Sequence, residues 1–250
     1  MTTIFKKTSG LTDKDFSYCP GCTHGIIHRL VAEVLEELNI LDHSIAIASV
    51  GCSVFSYEYF NTDALQAAHG RAPAVATGVK RLHPDKIVFT YQGDGDLASI
   101  GAAEIVHAAN RNENITVIFV NNAIYGMTGG QMAPTSLIDQ ITSTTPTGKN
   151  EKTMGYPLKM SELLATIEHV AYIERVMTAD VKSIRQTKKA IKNAFEAQIN
   201  NEGFSMVEVL SSCNVGWKMS PTEALGYIKD KMQPVFPLGV YKERNHGKTN

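Results

Sequence analysis

The segment IVFTYQGDGDLASIGAAEIVHAANRNENITVIFVNN, residues 87–122, decides the fold. It opens with an apolar, β-rich run, Ile87-Val88-Phe89-Thr90-Tyr91. A turn, Gln92-Gly93-Asp94-Gly95-Asp96, follows, then a predicted helix from Leu97 to Asn110 with Ala98, Ala102, Ile105 and Ala109 on one side. A second apolar run, Ile115 to Val120, ends at Asn121-Asn122. Strand, tight turn, helix, strand reads as a βαβ unit of a parallel sheet. Such sheets bind ligands beyond the carboxyl ends of their strands, where both polar clusters fall.

The two clusters are chemically complementary. The glycines suit a tight turn and close approach to a ligand. Asp94 offers a carboxylate oxygen and Asn122 an amide oxygen, hard donors of the kind Mg²⁺ takes while keeping positions for phosphate. The helix start behind Asp96 adds N–H groups and a positive dipole end. The residues therefore read as a Mg²⁺-diphosphate site. The plainer alternative is a turn with Asp96 as helix N-cap.

A chain of 250 residues, 43% hydrophobic, suffices for one α/β domain with a buried core, and one domain over 1–250 is expected. The net charge of −1 gives no reason to expect nucleic acid or an anionic membrane as partner. No apolar run approaches the roughly 20 residues of a membrane helix. The first residues lack a signal-peptide core, so a cytoplasmic protein is expected. Residues 1–18 read as a polar arm lying on the domain or a partner, and 242–250 as a polar, disordered tail.

The four cysteines are Cys19, Cys22, Cys52 and Cys213. Cys19-Pro20-Gly21-Cys22 holds two sulfurs close together and precedes a helix from Ile26 to Leu38. A metal cluster, zinc and a redox dithiol all fit that spacing. A short strand, Ile45 to Val50, ends in Gly51-Cys52-Ser53; His69-Gly70-Arg71 opens a helix from Ala72 to Leu82. By sheet logic the loops 51–53, 92–96 and 121–131 converge. His69 and Arg71 alternatively read as ordinary surface residues.

Residues 126–156, rich in Gly, Thr, Ser and Pro, form a long aperiodic stretch of the functional kind, reaching over a diphosphate near Thr128 to Gln131. A mobile surface loop is the alternative. Beyond it come a helix over 161–168, a strand over 170–176, a helix from the N-cap Asp180 to Ala197, and a strand over 204–210. Lys182, Arg185, Lys188, Lys189 and Lys192 on that long helix read as a solvated face rather than a docking face. Cys213 follows the last strand. Ser220-Pro221-Thr222-Glu223 is a capping box opening a helix to Met232.

Gly-Asp-Gly, a helix, then Asn-Asn closing the next strand resembles the thiamine diphosphate motif. The continuation Tyr125-Gly126-Met127-Thr128-Gly129-Gly130-Gln131 resembles the β subunit of 2-oxoacid:ferredoxin oxidoreductases. The resemblance implies a metal held by Asp94, by Asn122 28 positions on, and by the carbonyl of Ile124. It implies that Gly51, Cys52, Ser53 and His69 line the thiamine, and that Gly93, Gly95, Asp96 and Tyr125, Gly126, Met127 and Thr128 surround the diphosphate. Cys-Pro-x-Cys near the start, Gly-Cys after the next strand and a late fourth cysteine are similar to that family's ligand set, implying a [4Fe–4S] cluster on Cys19, Cys22, Cys52 and Cys213.

The implied fold is a mostly parallel α/β sheet with helices on both faces, of the thiamine-diphosphate-binding type. The implied activity is oxidative decarboxylation of a 2-oxoacid with coenzyme A to acyl-CoA, CO₂ and reduced ferredoxin. The thiazolium ring serves as electron sink and the cluster removes electrons singly. No motif for the glutamate that activates thiamine is evident, so a partner subunit is expected to supply it: an alpha subunit, with gamma and delta subunits as further candidates. The segments 54–60 and 69–78 look most like the branched-chain (2-oxoisovalerate) type, with 2-oxoglutarate and pyruvate as alternatives. A non-oxidative thiamine-dependent decarboxylase or carboligase and a non-catalytic zinc-binding module are the rival functions.

Overall fold

The apolar runs around residues 45, 88, 117, 173 and 206 all become strands of one sheet in the computed structural model, which describes residues 6–243. The strands are β1 (Ser44–Ala48), β2 (Asp63–Gln66), β3 (Ile87–Gly93), β4 (Thr116–Asn121), β5 (Tyr172–Met177), β6 (Ser205–Leu210) and β7 (Gly239–Glu243). Their order in space is β2-β1-β3-β4-β6-β5-β7. All neighbours run parallel except β7, which lies antiparallel on β5. The helices are α1 (His24–Glu37), α2 (Ser56–Tyr59), α3 (Ala72–Leu82), α4 (Ala102–Asn110), α5 (Glu151–Met154), α6 (Met160–Ala165), α7 (Val181–Ile199), α8 (Pro221–Tyr227) and α9 (Gln233–Val235).

The central strands are buried on both sides, as crossover helices require. In β4, Ile118 and Val120 join a core with α1 and α7, whereas Val117 and Phe119 face α3, α4 and α6. Burying each such side chain contributes about 1.5–3 kcal/mol. A third cluster, containing Ile124, Leu210, Trp217 and Phe236, caps the rim where the parallel strands end.

That rim has a switch point. From β1 the chain steps outward to β2, then returns to place β3 on the other side of β1 and continues to β4 and beyond. The crevice at the carboxyl ends of β1 and β3 is therefore where an open α/β sheet takes its ligand.

Several expectations need correction. The helix expected over 97–110 is two pieces: a wide π-helical turn, Asp96–Ile100, then α4. The bulge sits where the 70 loop crosses it. A Cβ on Gly101 would lie 2.8 Å from the Gly70 carbonyl oxygen, so only glycine permits the crossing. Asp96 is not an N-cap; its side chain points elsewhere. The edge strands β2 and β7 carry no alternating pattern and form because a neighbouring strand offers a ladder. Lys242 and Glu243, expected in the polar tail, end β7; the remainder of that tail, 244–250, and residues 1–5 of the arm lie outside the described residues. The described part of the arm packs on the domain: Thr8 Oγ1 donates to Glu36 at 2.5 Å, and Leu11 bridges to Phe60.

The capping boxes at Asp180 and Ser220 form as their sequences dictate. On α7, Lys182, Arg185 and Lys189 are exposed, while Lys188 bridges to Glu33 and Glu37 of α1. No helix among the described residues is long and apolar enough to cross a membrane.

Candidate functional site

Four loops meet at the switch point. Residues 50–53 after β1, His69 after β2, 93–96 at the end of β3, and Asn122 and 124–128 after β4 line one cleft, together with His24. All thirteen residues expected to bind the cofactor are in that lining: Gly51, Cys52, Ser53, His69, the four of 93–96, Asn122 and the four of 125–128.

Asp96 ties the loops together. It is buried, and it accepts from Gly70 N at 2.8 Å, Gln92 Nε2 at 2.6 Å and Val50 N at 3.4 Å, with His69 Nδ1 2.6 Å from Oδ1. One carboxylate thus fixes the ends of β1, β2 and β3. This role explains why it does not cap its helix.

Asp94 faces the β4 side. Its Oδ1 accepts from Gly95 N at 2.9 Å. Its Oδ2 accepts from Thr135 Oγ1 at 2.6 Å and Ile124 N at 3.2 Å. Burial pushes this carboxyl up to about 6, against those hydrogen bonds, which favour the charged form. In the same lining, Asn122 Oδ1 is buried without a hydrogen-bond partner. An orphaned buried acceptor costs about 1–3 kcal/mol. An acceptor-only oxygen in a cleft that also holds a carboxylate is satisfied by a cation, and hard oxygen donors suit Mg²⁺. The donor set therefore fits a metal-bound diphosphate.

The glycines serve this geometry unequally. Gly95 has ordinary helical torsions, yet a Cβ there would lie 2.3 Å from the Tyr125 ring. The tight turn expected of Gly95 is thus a close-packing requirement instead. A Cβ on Gly93 would meet nothing within 4 Å, so the backbone there borders open cleft.

The cysteines surround an adjoining cavity of about 430 Å³, lined by all four. The loop holding Cys19 and Cys22 is stapled to the loop holding Cys213. Asn214 Nδ2 donates to the Pro20 carbonyl at 3.0 Å, Ser212 Oγ to the Gly21 carbonyl at 3.1 Å, and Ser212 N to Thr23 Oγ1 at 3.0 Å. A methyl on Gly126 would sit 3.0 Å from Cys213 Sγ and 3.5 Å from Cys52 Sγ, which bounds the separation of those sulfurs at the total of the two distances. No three His, Cys, Asp or Glu side chains among the described residues gather tightly enough for a single metal ion. A tetrahedral zinc with Zn–S of about 2.3 Å would need that tighter gathering. A cubane cluster spreads its four thiolates more widely. All four cysteines are free thiols. Burial pushes Cys22 and Cys213 up to about 12 and Cys52 to about 11, with neighbouring thiols adding to the effect.

Three features escaped sequence reading. His24 lines both cavities, with Nδ1 2.8 Å from Tyr91 Oη and its ring stacked on Tyr18 at 4.7 Å. Only its place two residues after Cys22 hinted at this. Thr135 reaches Asp94 from a stretch with no periodic signal. Segment 126–156, expected either to cover the site or to move freely, is bonded into place: Lys149 is buried and donates to the Ser136 carbonyl at 2.9 Å, and Ser136 Oγ donates to the Ala123 carbonyl at 2.6 Å.

Comparison with known proteins bears on this geometry. The family "thiamine pyrophosphate enzyme, C-terminal TPP binding domain" matches residues 43–209. The ketoisovalerate oxidoreductase subunit VorA of Methanothermobacter thermautotrophicus is 47% identical over 242 residues, 97% of this chain and 51% of that protein. The chain thus spans about half the length of this relative. The 2-oxoglutarate synthase subunit KorB of Methanocaldococcus jannaschii is 40% identical over 222 residues, 85% of this chain and 77% of that one. The solved 2-oxoglutarate:ferredoxin oxidoreductase from Magnetococcus marinus, with 2-oxoglutarate, coenzyme A and succinyl-CoA bound, superposes with TM-score 0.80 at 26% identity, over 98% of this chain and 87% of that one.

Proposed function

The chain belongs to the thiamine diphosphate-binding subunits of the 2-oxoacid:ferredoxin oxidoreductases, and on that premise we propose that it carries the cofactors for oxidative decarboxylation of a 2-oxoacid with coenzyme A. The observation that carries the reading is the orphaned Asn122 Oδ1 in the same switch-point cleft lining as buried Asp94. Asp94, Asn122 and the Ile124 carbonyl would hold Mg²⁺. The backbone around Gly93 to Asp96 and Tyr125 to Thr128 would receive the diphosphate, and Gly51, Cys52, Ser53 and His69 the thiamine.

Thiamine diphosphate, when bound, supplies an electron sink for decarboxylation. Cys19, Cys22, Cys52 and Cys213 would hold a [4Fe–4S] cluster, which accepts electrons one at a time. Support for a shared centre is that all four thiols line one cavity. Cys52 and His24 belong to both linings, so the two centres would share a wall. Free thiols also suit the reducing cytoplasm, where we place the protein, with ferredoxin as electron acceptor.

The cleft lining contains no glutamate. This supports an alpha subunit, with gamma or delta subunits, completing the site with the activating carboxylate. We take residues 1–250 as a single thiamine-binding domain that is inactive alone. A branched-chain substrate such as 2-oxoisovalerate is favoured by the identity to the ketoisovalerate oxidoreductase subunit. The test is anaerobic co-purification of the complex, followed by coenzyme A-dependent ferredoxin reduction over a panel of 2-oxoacids. 2-Oxoisovalerate should be the best substrate and the isolated chain silent. Turnover by the isolated chain would refute the shared-site reading, and a preference for 2-oxoglutarate the substrate.

A further inference from the structure

Glu208 is fully buried in β6 and is not in the cleft lining. Its carboxylate meets three groups. Asn121 Nδ2 donates to Oε1 at 2.8 Å, Ser161 Oγ donates to Oε2, and Arg175 Nε is ion-paired to Oε2 at 2.9 Å. Arg175 is its register partner on β5, held in turn by Glu162 and by the faces of Phe236 and Tyr241.

A carboxylate can only accept, so Asn121 must turn its NH₂ toward Glu208. That leaves Asn121 Oδ1 to accept from Ala123 N at 3.1 Å. This short side-chain turn holds Ala123 at φ 56°, a conformation alanine rarely adopts. The kink separates Asn122 from Ile124, whose N–H bonds Asp94. Resting on the metal-diphosphate reading, we infer that Glu208 is a positioning residue for the metal site: by orienting the Asn121 amide it sets the Ala123 kink that presents Asn122 Oδ1 and the Ile124 carbonyl beside Asp94.

Glu208→Gln is isosteric and tests the orientation alone. The Arg175 guanidinium draws the new amide oxygen, so the amide NH₂ faces Asn121. Asn121 then flips, and its NH₂ confronts the Ala123 N–H. Asn121→Asp in the same chain restores an acceptor toward both groups, with the carboxylate moved from 208 to 121.

The reporter is built in. Trp217, the one tryptophan, donates its indole N–H to the Asn122 carbonyl at 3.1 Å. Its fluorescence in the full chain, titrated with Mg²⁺ at saturating thiamine diphosphate, reads the dissociation constant without any turnover. E208Q should weaken Mg²⁺ roughly 10- to 100-fold, the range for outer-shell partners. The double variant should recover most of that loss. If Glu208 merely balanced Arg175, the double variant would recover nothing, because its carboxylate has left Arg175. Asn121→Ala, which leaves the Glu208–Arg175 pair intact, should show the same weakening and serves if E208Q does not fold. A wild-type constant in E208Q or N121A, or no recovery in the double variant, overturns the inference alone. A wild-type chain with no Mg²⁺-dependent response overturns both it and the cofactor reading.

Discussion

Two alanine substitutions, two residues apart, should have opposite effects on stability and the same effect on binding. In Gly95→Ala the new Cβ lies 2.3 and 2.4 Å from two Tyr125 ring carbons, where unstrained carbons approach to about 3.5–4.0 Å. The ring must move, and overpacking of this kind costs about 1–3 kcal/mol. Alanine gains back about 1 kcal/mol over glycine, because Gly95 already has helical torsions (φ −65°, ψ −27°). The net is a loss of up to about 2 kcal/mol, or a fall of several degrees in Tm at this size. In Gly93→Ala the Cβ meets nothing within 4 Å. Stability should hold or rise by about 0.4–1 kcal/mol, since the unfolded chain loses freedom. Yet that methyl occupies the edge of the cleft. Denying a phosphate one charge-assisted backbone contact, worth about 1.5–3 kcal/mol, weakens thiamine diphosphate by about tenfold or more. Tyr125 displaced in G95A should weaken it comparably. The assay is a thermal melt of each variant beside calorimetric titration with thiamine diphosphate and Mg²⁺. A G95A variant melting at or above wild type would refute the packing argument. A G93A variant binding as wild type would refute the assignment of the space.

Three further outcomes are expected. Thr135→Val removes the hydroxyl that donates to Asp94 and should lower the unfolding free energy by about 1.5–3 kcal/mol; an unchanged urea midpoint would mean the bond contributes nothing. His28 is buried, and burial, with nearby His24, holds it well below its ordinary 6.5. Its stabilising contribution is therefore present above 6.5 and lost as pH falls below it, because only the unfolded chain takes the proton. His28→Gln should flatten the stability profile below pH 6.5 by about one proton, or about 1.4 kcal/mol per pH unit, and an unaltered slope contradicts this. Gly216→Ala puts a Cβ 2.7 Å from Cys213 Sγ. After anaerobic reconstitution it should retain less iron per chain than wild type, with every thiol still present; full iron content would show that the sulfur need not stay put.

The long apolar runs made the sheet legible. Strands buried on both faces need largely hydrophobic sequence, and β3 and β4 have it, while β6 has it apart from the buried Glu208. The polar clusters at the strands' carboxyl ends were legible for the same reason, since sheet logic alone predicts that 51–53, 92–96 and 121–131 share one rim. What stayed hidden depends on contacts distant in sequence. Asp96 looks like an N-cap until β1 and β2 supply its donors. The bulge at 96–100 needs Gly70 against Gly101. Thr135, in an aperiodic stretch, is recognisable only once folded against Asp94. The edge strands β2 and β7 are defined by their neighbours and not by their own residues.

The central claim is that Asp94 and Asn122 share a metal that anchors a diphosphate. Calorimetric titration of the chain with thiamine diphosphate, with Mg²⁺ and then with EDTA, tests it most directly when repeated on Asn122→Leu. One equivalent bound by wild type only when Mg²⁺ is present, and lost in N122L, is the predicted result. Binding that persists in EDTA, or an N122L variant that binds as tightly as wild type, would contradict it.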